Sequence, residues 1–447
     1  MDDPFERKIA AALGDGFAPN VEVETRGAGE LRSCFRVSDL AVACVAAAAR
    51  ELAALVGAKR VTLNRRHALM WFDMTVRPIG WRLPSAWDPI AGDYRTADGW
   101  IRLHTNAPHH REAALGVLGC RADERLVAEA VEGWGRTALE DAVVAAGGAA
   151  AAMHGLDEWA RSPVGGAVAA EPLIDWRRTD AGAAAGTADR GAGLEGCRVL
   201  DLTRVLAGPV ATRFLAGFGA RVLRVDPPDW NEPGVEPEVT LGKRRTGLDL
   251  HWAEDRRTFE RLLGTADVLV HGYRPGALEG LGYGVERRRS LAPGLIDVGL
   301  NAYGWTSAWS TRRGFDSLVQ MSCGIADEGM RRAGAERPVP LPVQALDHAT
   351  GYLMAAAVLR ALRLFREGGE RWSARLSLAR TAALLTSEGA RAFDGDGIAA
   401  SLTDLMPDVE RTGWGPARRV SFPVTIDGNG PCWAAPSGPL RVDRPCW

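Results

Sequence analysis

The sequence predicts an α/β protein in which a doubly wound parallel sheet is joined to a smaller α+β domain. Three features predict it. Between residues 197 and 299, short apolar runs alternate with helix-period segments, the pattern of a parallel sheet with helices on both faces. Residues 87–119 carry instead a hairpin followed by a helix, which belongs to a separate unit. The stretch AGAAAGTADRGAG, residues 181–193, lies between the two and reads as a linker. A chain of 447 residues exceeds one ordinary core. The expected divisions are 1–80, an N-terminal extension; 81–180, the small α+β domain; 181–193, the linker; 194–403, the sheet domain; and 404–447, a tail.

Taken in order, residues 1–32 hold a short helical pattern. An Ala-rich helix follows over 38–55, then a turn at 57–59, a strand through Val61 and Leu63, and a helix through His67 and Trp71. In the small domain, residues 94–96 and 100–104 are strands around an Asp98-Gly99 turn. Asn106 and Pro108 open a helix that runs to Gly119, and helices continue over 128–134 and 139–145. Residues 159–176 read as extended. The sheet domain begins with a strand at 197–202, a helix from Ala207 to Phe218 and a strand at 220–225 that ends in Asp226. Strands at 246–250, 268–271 and 295–299 follow, with helices at 255–263 and 287–291 between them. Ligands of such sheets sit beyond the carboxyl ends of the strands, which gathers residues 203–208, Asp226 and residues 272–276 around one crevice. The Gly-, Pro- and Trp-rich tail is expected to wrap back over the other domains.

Composition narrows the function. With 46% hydrophobic and 25% charged residues and a formal net charge of −2, the chain gives no support to a nucleic-acid or membrane-surface partner. MDDPFERK has no apolar core of a signal peptide, and the Ala-rich runs at 40–56 and 142–153 are too short or too charged to span a bilayer. Seven cysteines without a CxxC pair fit reduced thiols in a cytoplasm better than disulfides or a zinc site.

The most informative stretch is residues 341–364, LPVQALDHATGYLMAAAVLRALRL, an extended segment that runs through Asp347 into a long apolar helix. A carboxylate at a helix N-terminus meets orphan N–H groups and the positive end of the helix dipole, so Asp347 is expected to be ionised, either as a cap or as a nucleophile. The order helix, turn, strand, helix also occurs at 38–71. SARLSLARTAALL answers KRVTLNRRHALMW, which sets Ser38 opposite Asp347 and makes the N-terminal segment a degenerate half-copy without the carboxylate.

The segments GCRVLDLTRVLAGPVATRFLAGFGARVLRVDPP, GKRRTGLDL, ADVLVHGYRPGALEGLGYG, RRGFDSLVQMSCGI and LDHATGYLMAAAVLRAL resemble, in order, those of the family III CoA-transferases, a group that includes α-methylacyl-CoA racemases. WDPIAGDYRTADGWIRLHTNAPHH and EWARSP resemble the family's small domain, although here that domain comes first. The resemblance implies a CoA-binding sheet domain and an acyl-CoA:carboxylate CoA-transferase that works through an aspartyl anhydride and an enzyme-CoA thioester at Asp347. It implies CoA as part of the substrate rather than a tightly bound cofactor, and a carboxylic acid as acceptor. It assigns Arg204, Val205, Leu206, Ala207 and Gly208 to the loop beneath CoA, with Asp226, Leu248, His251, Gly272, Tyr273 and Arg313 around the nucleotide and pantetheine. His251 stands where some members have Lys, and Gly272 where many have Asn. Members form interlocked dimers, and the changed domain order leaves a homodimer open.

Four other readings compete. A racemase would need a His where this chain has Phe315, and His348 beside Asp347 reads as structural. A nicotinamide enzyme is suggested by the position of Asp226, but Gly208 stands without the rest of a GxGxxG run. A metal site from His104, His109 and His110 lacks completing ligands, and these read as surface histidines. A non-catalytic acyl-CoA binder is the remaining alternative. Trp81, Trp87 and Trp100 read as core residues more than as the lining of an acyl site.

Overall fold

The computed structural model describes residues 3–18, 20–179, 193–393 and 395–447, so most of the expected linker lies outside the described residues. The centre is a seven-stranded sheet. Its order is Lys243–Gly247, Arg221–Asp226, Arg198–Leu202, Val268–His271, Ile296–Asn301, Trp372–Ser377 and Asp175–Arg178. All neighbours run parallel except the last strand, which is antiparallel. Counted from Arg198–Leu202, the parallel strands lie in the order 3-2-1-4-5-6, the doubly wound arrangement. The strand order reverses between Arg198–Leu202 and Val268–His271, and there the loops on the two sides diverge and leave a crevice.

Strand positions follow the apolar runs, with one shift. The strand expected at 246–250 is Lys243–Gly247. Its start is masked because Lys243 is fully buried, 3.0 Å from Asp201 in an ion pair beneath the sheet's first loop. Residues 159–176 are a larger correction. They form two helices, Leu156–Arg161 and Pro163–Ala170, and the strand Asp175–Arg178 begins only at the end of the segment. Ser162 explains it: its hydroxyl accepts Gly165 N at 2.9 Å and Pro163 fills the first helical position, so a capped helix replaces the extended chain.

The small domain is a three-stranded antiparallel sheet, Gly92–Thr96, Gly99–Leu103 and Ala150–Ala152, with three helices packed on it. Asn106 does not cap the helix Pro108–Leu118, whose N-cap is Ala107. Its side chain instead joins Asp88 N and Ala86 O, fastening the segment that precedes the hairpin. Residues 1–32 contain a strand that the sequence did not suggest, Glu22–Arg26, parallel to Arg60–Asn64.

The helices Val37–Val56 and Ala345–Gly368 pack against each other and are buried along most of their length. Ala-rich faces permit that close approach. From the tail, Gly415–Arg419 pairs with Val76–Pro78 and Val424–Ile426 pairs with Arg60–Asn64. Trp433 stacks on Trp71 at 5.7 Å. No helix among the described residues is long and apolar enough to cross a membrane.

Candidate active site

The crevice at the point of strand reversal is a cavity of about 380 Å³. Both diverging loops, the start of the helix Ala345–Gly368 and the small domain all contribute to its wall. Of the residues assigned from sequence it brings together Asp347, Arg204, Val205, Ala207, Gly208, Gly272, Tyr273 and Arg313. Leu206 is buried in the core at the N-cap of the helix Ala207–Gly217.

Three assigned residues lie elsewhere. Asp226 is fully buried, and both its oxygens accept from Arg224, at 2.9 Å each. Residues two apart on a strand share a face, which lets Arg224 claim the carboxylate that the spacing had offered to a ribose or adenosine. Leu248 is buried in the apolar cluster on one side of the sheet. His251 is exposed in the turn that follows, its backbone N–H donating to Asp249.

Asp347 is the third residue of its helix and 6% exposed. Its carboxyl accepts no protein hydrogen bond among the described residues. The expected cap role belongs to another residue: Asp316 Oδ2 accepts the Asp347 backbone N–H at 2.9 Å. Asp316 is itself buried and also accepts from Gln320, whose Oε1 takes Leu341 N at 2.7 Å. This relay fixes the chain on its way into the helix. It also overturns the expectation of an ionised Asp347. Burial, and then the Asp316 carboxylate, push the Asp347 carboxyl well above the ordinary aspartate range. Burial pushes Asp316 up to about 6, although the Asp347 N–H and Gln320 oppose the shift.

Close packing sets where Asp347 stands. Gly351, one turn further along the same helix face, has no room for a side chain: a Cβ would lie 2.4 Å from Ala207 O. Gly208 is bare for a structural reason as well, because a Cβ there would meet the Thr203 side chain at 2.3 Å. The loop between them is tied down. Thr203 donates through its N–H and hydroxyl to Asp201, and Val205, at φ +63°, donates its N–H to Glu232 Oε2 at 2.8 Å. A β-branched residue in the left-handed region is strained, and the two carboxylates hold it there.

Two arginines of the cavity differ. Arg204 lies between the rings of Trp230, at 4.8 Å, and Tyr273, at 5.2 Å, and donates to Tyr273 Oη. The half-buried Arg313 has no ion pair or hydrogen bond among the described residues, and its neighbour of like charge is Arg274. Arg312 is spoken for: it pairs with Glu140 at 2.6 Å and donates to Ala150 O, binding the small domain to the sheet domain.

The histidines read as surface groups are not all at the surface. His104 and His110 are 6% and 3% exposed, and each has a ring nitrogen without a partner. Phe315 stacks on His104 at 3.7 Å and meets His110 edge-on at 5.8 Å. Burial pushes both imidazoles down to about 3, so they are neutral. His348 packs on Phe72 at 5.2 Å and does not line the cavity. Sequence reasoning passed over Trp230, Asp316, Gln320 and Gly351 as site residues; of these, Asp316 had a visible signal, an acid opening a helix just after the RRGF motif.

Residues 194–397 match the profile of CoA-transferase family III. An acetyl-coenzyme A transferase of Hypoxylon pulicicidum is 38% identical over 174 residues, 38% of this chain and 29% of its own length. A Mycobacterium tuberculosis protein named "Probable fatty acyl-CoA transferase" is 36% identical over 188 residues, 39% of this chain and 47% of its own. Its crystal structure aligns with 44% of this chain and 57% of that one, at 31% identity and a TM-score of 0.39. The mouse succinyl-CoA:glutarate CoA-transferase is 34% identical over 184 residues, 38% of this chain and 41% of its own. The matched segment thus spans less than half the length of each of these relatives.

Proposed function

We propose that the protein transfers coenzyme A between an acyl-CoA and a carboxylic acid, with Asp347 as the nucleophile. The observation that carries this reading is a buried, unpartnered carboxyl in the crevice where a doubly wound sheet receives a nucleotide. The relatives' names support the same class of reaction.

In this reading Asp347, having given its proton to solvent, attacks the thioester carbonyl as the carboxylate; the C–S bond breaks and CoA thiolate departs, leaving a mixed anhydride. The thiolate attacks the aspartyl carbonyl, which expels the donor acid as a carboxylate and leaves an aspartyl-CoA thioester. An acceptor carboxylate then displaces the thiolate to form a second anhydride. Attack of that thiolate on the acceptor's acyl carbon yields the new acyl-CoA and restores Asp347. A carboxylate whose pKa burial has raised is the better nucleophile once ionised, and exclusion of water protects the anhydride. The loop Arg204 to Gly208, Gly272 and the ring of Tyr273 would lie against CoA, and Arg313 would meet an anionic part of it. CoA enters and leaves as substrate. The free thiols and the use of acyl-CoA fit a cytoplasmic setting, and a solution mass measurement would test for a homodimer.

Peptide mass spectrometry after incubation with acyl-CoAs and hydroxylamine tests the reading. A hydroxamate or CoA adduct on Asp347, lost in Asp347→Asn, is expected. CoA binding without any adduct would leave an acyl-CoA binder. One observation favours a second reading, an α-methylacyl-CoA racemase: neutral His110, with an unpartnered nitrogen, lines the same cavity as Asp347. Deuterium uptake at the acyl α-carbon in heavy water, without an adduct, would decide for it.

A further inference from the structure

Beside the cavity of Asp347 lies a second chamber of about 210 Å³, between the small domain and the sheet domain. Val205, Trp230 and Phe315 line both spaces, so the two share a wall built on the loops nearest the carboxyl. We propose that this chamber receives the acyl chain and selects acyl groups that carry no second carboxylate. The proposal rests on the transferase reading only in taking the chamber as the acyl side of the site.

The argument is one of charge. Among the described residues no Lys or Arg lines the chamber, whereas two carboxylates do, Asp88 and Glu232. Trp87, Trp230, Phe315 and Val235 supply an apolar surface, with Asn106 and His104 among the neutral polar groups. His104 cannot act as a cation, because burial first, then His110 and Arg102, hold its imidazole down at about 3. Nearby arginines are already engaged. Arg111 faces Asp88 at 3.4 Å, Arg102 pairs with Asp93 at 2.7 Å, and Arg224 is bound to Asp226 and Glu232. Arg204 is held between Trp230 and Tyr273. A distal carboxylate entering this space would lose water and gain no free counter-charge, because Arg111 and Arg224 are already committed to Asp88 and Glu232. An uncharged chain would gain apolar contact with the two tryptophans and Phe315.

Calorimetry with two thioethers that cannot acylate the enzyme, S-hexyl-CoA and S-(3-carboxypropyl)-CoA, tests this on the full chain. The hexyl ligand is expected to bind at least tenfold more tightly. Ala86 is exposed at the chamber wall, and Ala86→Arg, which adds a cation there, is expected to reduce that preference to less than threefold. Equal or tighter binding of the carboxylated ligand by the unaltered protein would overturn the proposal, as would a preference that Ala86→Arg leaves intact. Neither outcome depends on covalent chemistry, so failure of the transferase reading shows separately, as absence of an Asp347 adduct.

Discussion

Two helical units of like construction meet in this molecule and differ in their first turns. Val37–Val56 and Ala345–Gly368 both end at a glycine in the left-handed conformation, Gly57 and Gly369. Each leads to a strand and then to a short helix capped by a polar side chain, Asn64 in one and Ser377 in the other. In the N-terminal unit, Ser38 is buried and its hydroxyl accepts Leu31 N at 2.8 Å. In the other, Asp347 is buried and its carboxyl accepts no hydrogen bond among the described residues. A polar group satisfied within seven residues of chain serves the fold, whereas one left bare at a cavity wall costs the fold stability and is the group the proposed function puts to use.

The sharpest way to break this contrast is to remove the carboxyl. Asp347→Asn should lower adduct formation and turnover by at least ~10³-fold, read by trapping kinetics; residual turnover near that of the unaltered protein would abolish the distinction. Next in size is the relay. Asp316→Asn removes a like charge, so the Asp347 pKa should fall, and the rise of adduct rate with pH should move to lower pH, while the rate at its plateau drops by ~10–100-fold. Rates measured from pH 5 to 8 would show it.

Stability should move the other way. The folded state holds the Asp347 proton more tightly than the unfolded chain does. Stability from this group is therefore complete below the unfolded value near 4 and is lost as pH rises through the raised folded value. Asp347→Asn escapes that loss and should be more stable at pH 8 by ~1–3 kcal/mol, with the gain vanishing near pH 4. Denaturant melts at both pH values would check it. Smallest is Ser38→Ala, which should cost ~1 kcal/mol with adduct formation unchanged; the same melts would read it.

Much of the sheet domain is legible because parallel strands are written as local apolar runs, and because Asp347 opens the longest apolar helix. What the sequence hides is direction and distance. Asp226 sits at the predicted strand end, yet its side chain turns to Arg224. The second chamber is assembled from Trp87 and His104 of the small domain and Trp230 of the sheet domain, which lie far apart in the chain. Trp87 reads as a core residue until the small domain is placed against the loop at 230–235. The protonation of Asp347 is hidden for a similar reason: the helix N-terminus is there, but the fold buries the carboxyl, sets Asp316 beside it and gives the N–H to Asp316, from a different helix.

The tail's pairing with the N-terminal unit also sets a clock for biosynthesis. Trp71 donates to the carbonyl of Val420, 349 residues later. At ~5–20 residues per second, a ribosome needs tens of seconds to supply that partner. Through that interval Arg60–Asn64 lacks its neighbour Val424–Ile426, an open edge that a nascent chain must keep from other nascent chains.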